Sequence, residues 1–288
     1  DAIHAGYVVG PRIFTAEKAI ATTGGHADPS NGRNDALSYD AGPEAGVINS
    51  VDEAWKAVRT RYKNGADCIK ITATGGVLSV AKDGQGAQFR DEELEAIVAA
   101  AKEYGMHTAA HAHGIGGMQR AIRAGITTIE HGTLMDEETA DLMIEHGTYW
   151  VPTLSAGAYV AEKAKTPGFF PPIIVPKAIS IGSQQKEIFT KMYKTGVKIA
   201  FGTDSGVSPH GDNAKEFGYL VDCGVTPMDA ITSATSTAAM VLGQGEALGQ
   251  LKAGFTADIV AVRGNPLEDI HLLEKVDFVM KDGKVVKE

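Results

Sequence analysis

The sequence predicts an α/β fold of consecutive βα units, and three observations carry that prediction. A helical stretch, a glycine and a short β-rich run recur along the chain. Several of the runs are apolar on both faces, and none is followed by a dinucleotide-binding glycine fingerprint. The repeats read "RYKNGADCIKITATGG", "AKEYGMHTAAHAHG", "AIRAGITTIEHG", "MIEHGTYWVPTLS" and "MYKTGVKIAFGTDSG". Their glycines, Gly65, Gly105, Gly125, Gly147 and Gly196, suit the left-handed position just past a helix, where a Cβ would be strained. Runs apolar on both faces belong to a parallel sheet covered by helices, so a barrel or a doubly wound sheet is expected. The missing fingerprint counts against the nucleotide-binding variety.

Each element has a local reason. Arg12–Ala21 is expected to add a sixth strand ahead of the five marked ones. Ser50 with Glu53 makes a capping box for a helix over 51–62, with Trp55, Val58 and Tyr62 on one face. "RDEELEAIVAAAKEYG" has an acidic first turn that suits the helix dipole, and an apolar stripe at Leu94, Ile97, Val98 and Ala101. Residues 166–176, "TPGFFPPIIVP", read as a long ordered loop or lid, because Phe and Ile accompany the prolines. "TPMDAITSATSTAAMVLG" reads as a helix, after which the character changes. Residues 1–245 are expected to form the main α/β domain and 246–288 a small β appendage, with a hairpin at Asp282 and Gly283.

Composition narrows the function classes. A chain of 288 residues with 43% hydrophobic and 22% charged residues can bury a sizeable core in the manner of a soluble globular protein. A net charge of −9 argues against a nucleic-acid surface. No apolar run approaches the roughly 18–20 residues of a membrane helix, so no membrane partner is expected. Cys68 and Cys223 are too few for a disulfide framework. No signal-peptide pattern is visible at residue 1, and the compartment stays open.

In parallel βα folds, chemistry sits where strands end and loops begin. Lys70, His111, His131 and Asp204 emerge in that order from four of the five marked strands. Alternation in "CIKITAT" puts Lys70 with Cys68, Thr72 and Thr74 on one face. Lys70 is then either a lysine whose stem packs while its head reaches solvent, or a neutral amine that combines with CO2 to give a carbamate. His111 and His131 lie twenty positions apart, which fits one helix and a neighbouring parallel strand. Two imidazoles with an anionic oxygen would make a Zn2+ shell with room for water. His113 shares the face of His111 and reads as a contact to substrate or to the ligands. Asp204, in "FGTDSG", is a turn residue or a carboxylate that touches metal and takes a proton from its water. His26 and His210 sit in loops and could touch substrate; His4, His146 and His271 read as surface or packing residues.

Together these residues resemble the amidohydrolase superfamily of metal-dependent hydrolases. The match is to the branch of Xaa-Pro dipeptidases, ochratoxin-degrading amidases and imidazolonepropionase-like proteins. Segments such as "GADCIKITATGGVLS", "AAHAHG", "TTIEHG", "FGTDSG" and "GFTADIVAVRGNPLEDI" carry it, in the family's order, over nearly the whole chain. The resemblance implies a (β/α)8 TIM barrel with a small β-sandwich built from both chain ends. It also implies Lys70 as the carboxylated lysine, His111 and His131 as metal ligands and Asp204 as the final-strand aspartate. The family's first barrel strand, with its H-x-H motif, has no counterpart here, because His111 and His113 belong to a later strand. About six barrel strands are therefore expected, with the family's N-terminal part lacking. At most one firmly held ion is expected, Zn2+ or else Mn2+ or Co2+.

The activity so implied is hydrolysis of amide bonds in dipeptides or N-acyl amino acids by a hydroxide generated on the ion, with Asp204 shuttling the proton. Arg12, Arg90 or His210 would hold the substrate carboxylate. Cyclic amides, esters or phosphoesters are alternative substrates, and an inactive barrel fragment serving as a binding module is the alternative class. An opened barrel exposes strand edges, so the chain is expected to self-associate or to join a separate N-terminal segment. Light scattering should then report a mass above the 30.2 kDa monomer; a well-behaved monomer would oppose it.

Overall fold

A computed structural model describes residues 2–37, 39–79 and 84–288. Helix and strand alternate through α1 (Val51–Lys63), β1 (Cys68–Thr72), α2 (Asp91–Glu103), β2 (His107–Ala112), α3 (Ile115–Arg123), β3 (Thr128–His131), α4 (Glu137–His146) and β4 (Tyr149–Val151). The four strands lie side by side in chain order, all parallel. The ladder continues at both edges. Ile20 N donates to Lys70 O at 2.8 Å and Thr72 N returns to Ile20 O at 3.1 Å; Trp150 N donates to Lys198 O at 2.8 Å and Ala200 N to Trp150 O at 2.9 Å. With Val47 bridged to Ala21 on the far side, seven strand positions thus stand in parallel order among the described residues, the arrangement of a TIM-type barrel wall. Gly65, Gly105, Gly125, Gly147 and Gly196 all take positive φ where the repeat ends its helix.

The first strand is shorter than expected. Of Arg12–Ala21, pairing is confined to Ile20 with Ile71 and Ala21 with Val47. Arg12 is drawn away to Asp258 and Asp282 in the C-terminal sheet, and Glu17, with φ 59°, turns the chain between the two destinations.

Helix α1 buries Val58 and packs Trp55 against the core as expected, but leaves Tyr62 outside. Ser50 accepts from Glu53 N as expected, while the Glu53 carboxylate caps Asn49 N at 2.7 Å. Ala54, Ala57, Val58 and Arg61 are buried, and Tyr62 lies outside, stacked on Tyr104 at 4.2 Å. Arg61 is drawn inward by charge. Its Nε lies 2.8 Å from Glu17 Oε2, and its Nη2 donates to Pro43 O at 3.1 Å and Glu44 O at 2.8 Å. That fork fastens the segment carrying Ile20 to α1.

Beyond β4 come α5 (Leu154–Lys163), α6 (Val175–Tyr193) and α7 (Lys215–Asp222). The proline-rich loop between α5 and α6 contributes Phe170 and Ile174 to a second apolar cluster with Val160, Ala178 and Ile181. The helix expected over 226–243 is three pieces: α8 (Pro227–Thr232), a π turn at Ser233–Thr237 and α9 (Ala238–Val241). Phe201 N draws the Ser233 carbonyl at 3.1 Å, and the Ser233 and Thr235 hydroxyls bond back to Ala230 O and Ile231 O, which loosens the ladder there. The chain closes in an antiparallel sheet of β5 (Ile259–Ala261), β6 (Phe278–Lys281) and β7 (Lys284–Lys287). Asp282 and Gly283, both at positive φ, make its hairpin turn. Among the described residues no helix is long and apolar enough to cross a membrane.

Replacing Arg61 by Ala removes a buried guanidinium together with its pairing to Glu17 and its bonds to two loop carbonyls. Urea denaturation should show a loss of about 2–4 kcal/mol; a change within experimental error would remove Arg61 from this role.

Candidate active site

Lys70, Thr72, His111, His113, His131 and Asp204 meet in one cavity of about 320 Å3 at the C-terminal ends of the strands, and His26 joins them from the loop after Ile20. Alternation along β1 explains the first two: Ile69 and Ile71 face the helices while Lys70 and Thr72 face the cavity. The His111 ring lies 4.7 Å from that of His113, 4.8 Å from that of His131 and 4.4 Å from that of His26, which stacks on it.

His131 needs help from its backbone. It pairs with Ala112, which alternation would turn toward the helices, but a φ of 71° redirects its ring into the cavity. Thr153 and Asp204, which follow β4 and the last strand position, also have positive φ, 49° and 52°. Gly132 permits the turn after His131: a Cβ there would lie 2.6 Å from Trp150 Nε1, which donates to His131 O.

Hydrogen bonds sort the ring nitrogens. His111 Nε2 lies 3.1 Å from Gly75 O, which can only accept, so that nitrogen carries the proton and Nδ1 keeps its lone pair. His131 Nδ1 is held by Thr153 Oγ1 at 2.7 Å and His113 Nδ1 by Thr133 Oγ1 at 2.6 Å, leaving Nε2 of each uncommitted by these bonds. All three rings are neutral at ordinary pH. Burial holds His111 and His131 well below the usual imidazole value, their neighbouring histidines adding to it, and holds His113 down at about 3. Burial raises the Asp204 carboxyl although it opens onto the cavity, with Lys70 opposing. His26 is also lowered, by burial first and then by Lys177 and Lys70.

Other expected residues lie elsewhere. His210 is exposed and is not part of the lining. Arg12 is bound in the C-terminal sheet, and Arg90 caps α2 and pairs with Glu93, so neither reaches the cavity to hold a substrate carboxylate. Among the described residues, no three His, Cys, Asp or Glu side chains are grouped to hold a metal ion. Of the donors that converge, the His111 and His131 imidazoles, the Lys70 amine and the Asp204 carboxylate would make a shell if Lys70 contributed an oxygen. Two buried polar atoms of the lining residues, Thr72 Oγ1 and His26 Nδ1, have no hydrogen-bond partner, which fits a polar group bound there.

The model of the amidohydrolase family matches residues 1–286. The chain belongs to the amidohydrolase family. A crystal structure of a Xaa-Pro dipeptidase with bound methionine in its active site superposes with a TM-score of 0.98 at 58% identity, covering 100% of this chain and 71% of that one. A prolidase complexed with N-methylphosphonate-L-proline superposes at 0.90 with 34% identity, over 100% and 72%. Ochratoxinase of Aspergillus niger is 34% identical over 304 residues, covering 99% of this chain and 62% of the relative. The chain thus spans less than two thirds of that curated relative's length. Amidohydrolases generally use a divalent metal, and their fold is the TIM barrel whose wall the parallel strands form here.

Thr133 and Thr153, which hold two of the amidohydrolase histidines, were not apparent from the sequence, since threonine is ordinary in strands and turns. Glu216 on α7 also escaped notice: a glutamate in a first turn resembles a solvated charge, yet this one is fully buried against the start of α5. Burial pushes its carboxyl up to about 7 despite bonds from Ser155 and Leu154. A folded pKa above the unfolded one favours the protonated form, so that stabilisation is complete below the unfolded value and is lost as pH rises through about 7. Glu216→Gln, which does not titrate, should therefore gain thermal stability relative to wild type between about pH 5 and about pH 8, by on the order of 2 kcal/mol. A difference constant over that range would contradict it.

Proposed function

We propose that the chain hydrolyses amide bonds of dipeptides or N-acyl amino acids bearing an apolar side chain. The observation that carries the reading is the convergence of Lys70, His111, His131 and Asp204 on one cavity, with His111 Nδ1 and His131 Nε2 left uncommitted. Apolar walls from Val77, Leu78, Val160, Ala178, Ile181 and Val207 beside that polar floor suit an aliphatic side chain. The methionine bound by one structural neighbour and the proline-based ligand of another support an amino-acid product.

The residues fit a divalent ion, Zn2+ in this reading, held by His111 Nδ1, His131 Nε2 and a carbamate oxygen on Lys70. The carbamate would form by attack of the Lys70 nitrogen lone pair on CO2, with loss of one proton from that nitrogen. Such an ion, when bound, supplies Lewis-acid polarisation of a carbonyl and lowers the pKa of water. Asp204 accepts a proton from water and passes it to the leaving amine nitrogen. The neutral rings of His26 and His113 orient the substrate by hydrogen bonds from the cavity wall. His210, outside the lining, has no part.

Metal analysis of the purified chain and turnover of a dipeptide panel test the reading. About one equivalent of zinc is expected, and Lys70→Ala should lose the metal and lower kcat/KM by about 1,000-fold or more. A folded wild-type chain that neither retains metal nor turns over any dipeptide would defeat the reading and favour a binding module.

A further inference from the structure

Glu216 is fully buried and takes no part in the chemistry proposed above, yet both its oxygens are committed. Oε1 accepts from Leu154 N at 2.8 Å and Oε2 from Ser155 N at 2.7 Å. These two amides open α5, and the first-turn N–H groups of a helix are ordinarily capped by the side chain of the residue just before it. That residue is Thr153, a type well suited to capping, but it makes no capping bond. Its hydroxyl lies 2.7 Å from His131 Nδ1 instead, and its backbone is left-handed, φ 49° and ψ 47°. An acceptor brought in from α7 therefore does the work Thr153 would otherwise do.

We infer that Glu216 is a positioning residue for His131: by capping α5 from outside, it releases the Thr153 hydroxyl to hold Nδ1 and so turns Nε2 toward the cavity. Without this cap, Thr153 has a competing use for its hydroxyl, the bare amides of its own helix, and a strained backbone to relieve. His113 provides an internal control, because its Nδ1 is held by Thr133, which lies outside α5. The bearing of this arrangement on catalysis rests on the function proposed above; the arrangement itself does not.

Long-range 1H–15N correlation of the histidine rings in the metal-stripped full chain, at about pH 8, reads the arrangement. Wild-type His131 is expected to carry its proton on Nδ1. Glu216→Gln keeps the shape but sets an amino group against one of the two N–H donors. It should move His131 to a mixture of tautomers and leave His113 unmoved. Thr153→Val should reproduce the change with Glu216 intact, and Thr153→Ser should preserve the wild-type pattern. Glu216→Asp, which keeps the charge and withdraws it from the amides, should behave as Glu216→Gln does. An unchanged His131 in a folded Glu216 variant, an equal change at His113, or wild-type His131 unprotonated on Nδ1 would overturn the inference. Loss of the fold in both Glu216 variants, seen by circular dichroism, would overturn it too by making the residue purely structural. Because the protein carries no metal in this measurement, a wild-type chain without turnover would remove the proposed function and leave the result on Glu216 standing.

Discussion

Three residues at or just past the ends of strands in the parallel sheet, His131, Thr153 and Asp204, take positive φ, and the shape of the cavity depends on it. A side chain other than glycine in this conformation costs on the order of 1–3 kcal/mol, so the surroundings must impose it. They do so visibly at His131, where Trp150 Nε1 clasps the carbonyl and Gly132 leaves room for the indole. At Thr153 the restraint is the Glu216 carboxylate on the amides that follow. Without these turns, regular alternation would leave the His131 ring with Ala112 on the helix side of the sheet.

The second constraint is the disposal of protons on the imidazoles. Each of His111, His113 and His131 has one ring nitrogen fixed by a carbonyl or a threonine hydroxyl, and burial keeps the ring neutral. Three mutually close cations would repel one another, so neutrality is also what allows the rings to pack at 4.7–5.1 Å. Two neighbouring loop residues serve both histidines of the β2 end: Gly75 O accepts from His111 Nε2, while Thr74 Oγ1, which donates to Gly75 O, accepts from the backbone N–H of His113. Geometry and tautomer are thus set by a few groups at the strand ends.

The parts legible in the sequence were those whose cause is local. A glycine past each helix is a property of one residue's backbone, so the five repeats and the strand order could be read directly. Lys70, His111, His131 and Asp204 stood out because polar residues at the ends of apolar runs are conspicuous. What escaped depends on partners distant in the chain. Arg61 looks like a surface residue until Glu17 and the carbonyls of Pro43 and Glu44 arrive, and Glu216 looks solvated until α5 is laid across it. His210 shows the opposite case: its loop follows Asp204, but the chain carries it outward to solvent, away from the cavity lining. The π turn at Ser233–Thr237 needs an amide from Phe201, which no helical pattern could announce.

Helix α5 joins two tasks that are usually separable. Ala156, Gly157 and Val160 give it a side of the apolar wall, while its N-terminal flank, Thr153, grips His131. It is also pressed closely against α6: a Cβ on Gly157 would overlap the Gln185 amide, and one on Gly182 would meet the Ala161 Cβ at 2.2 Å. Gln185 in turn donates to Pro152 O at 3.0 Å, the carbonyl just before Thr153. The helix pair that shapes this wall therefore has no slack, and the residue just before its start holds the ring of His131. Packing in closely fitted helices transmits displacement rather than absorbing it, so the seating of α5 on α6 and the orientation of His131 are mechanically linked through the first turn of α5.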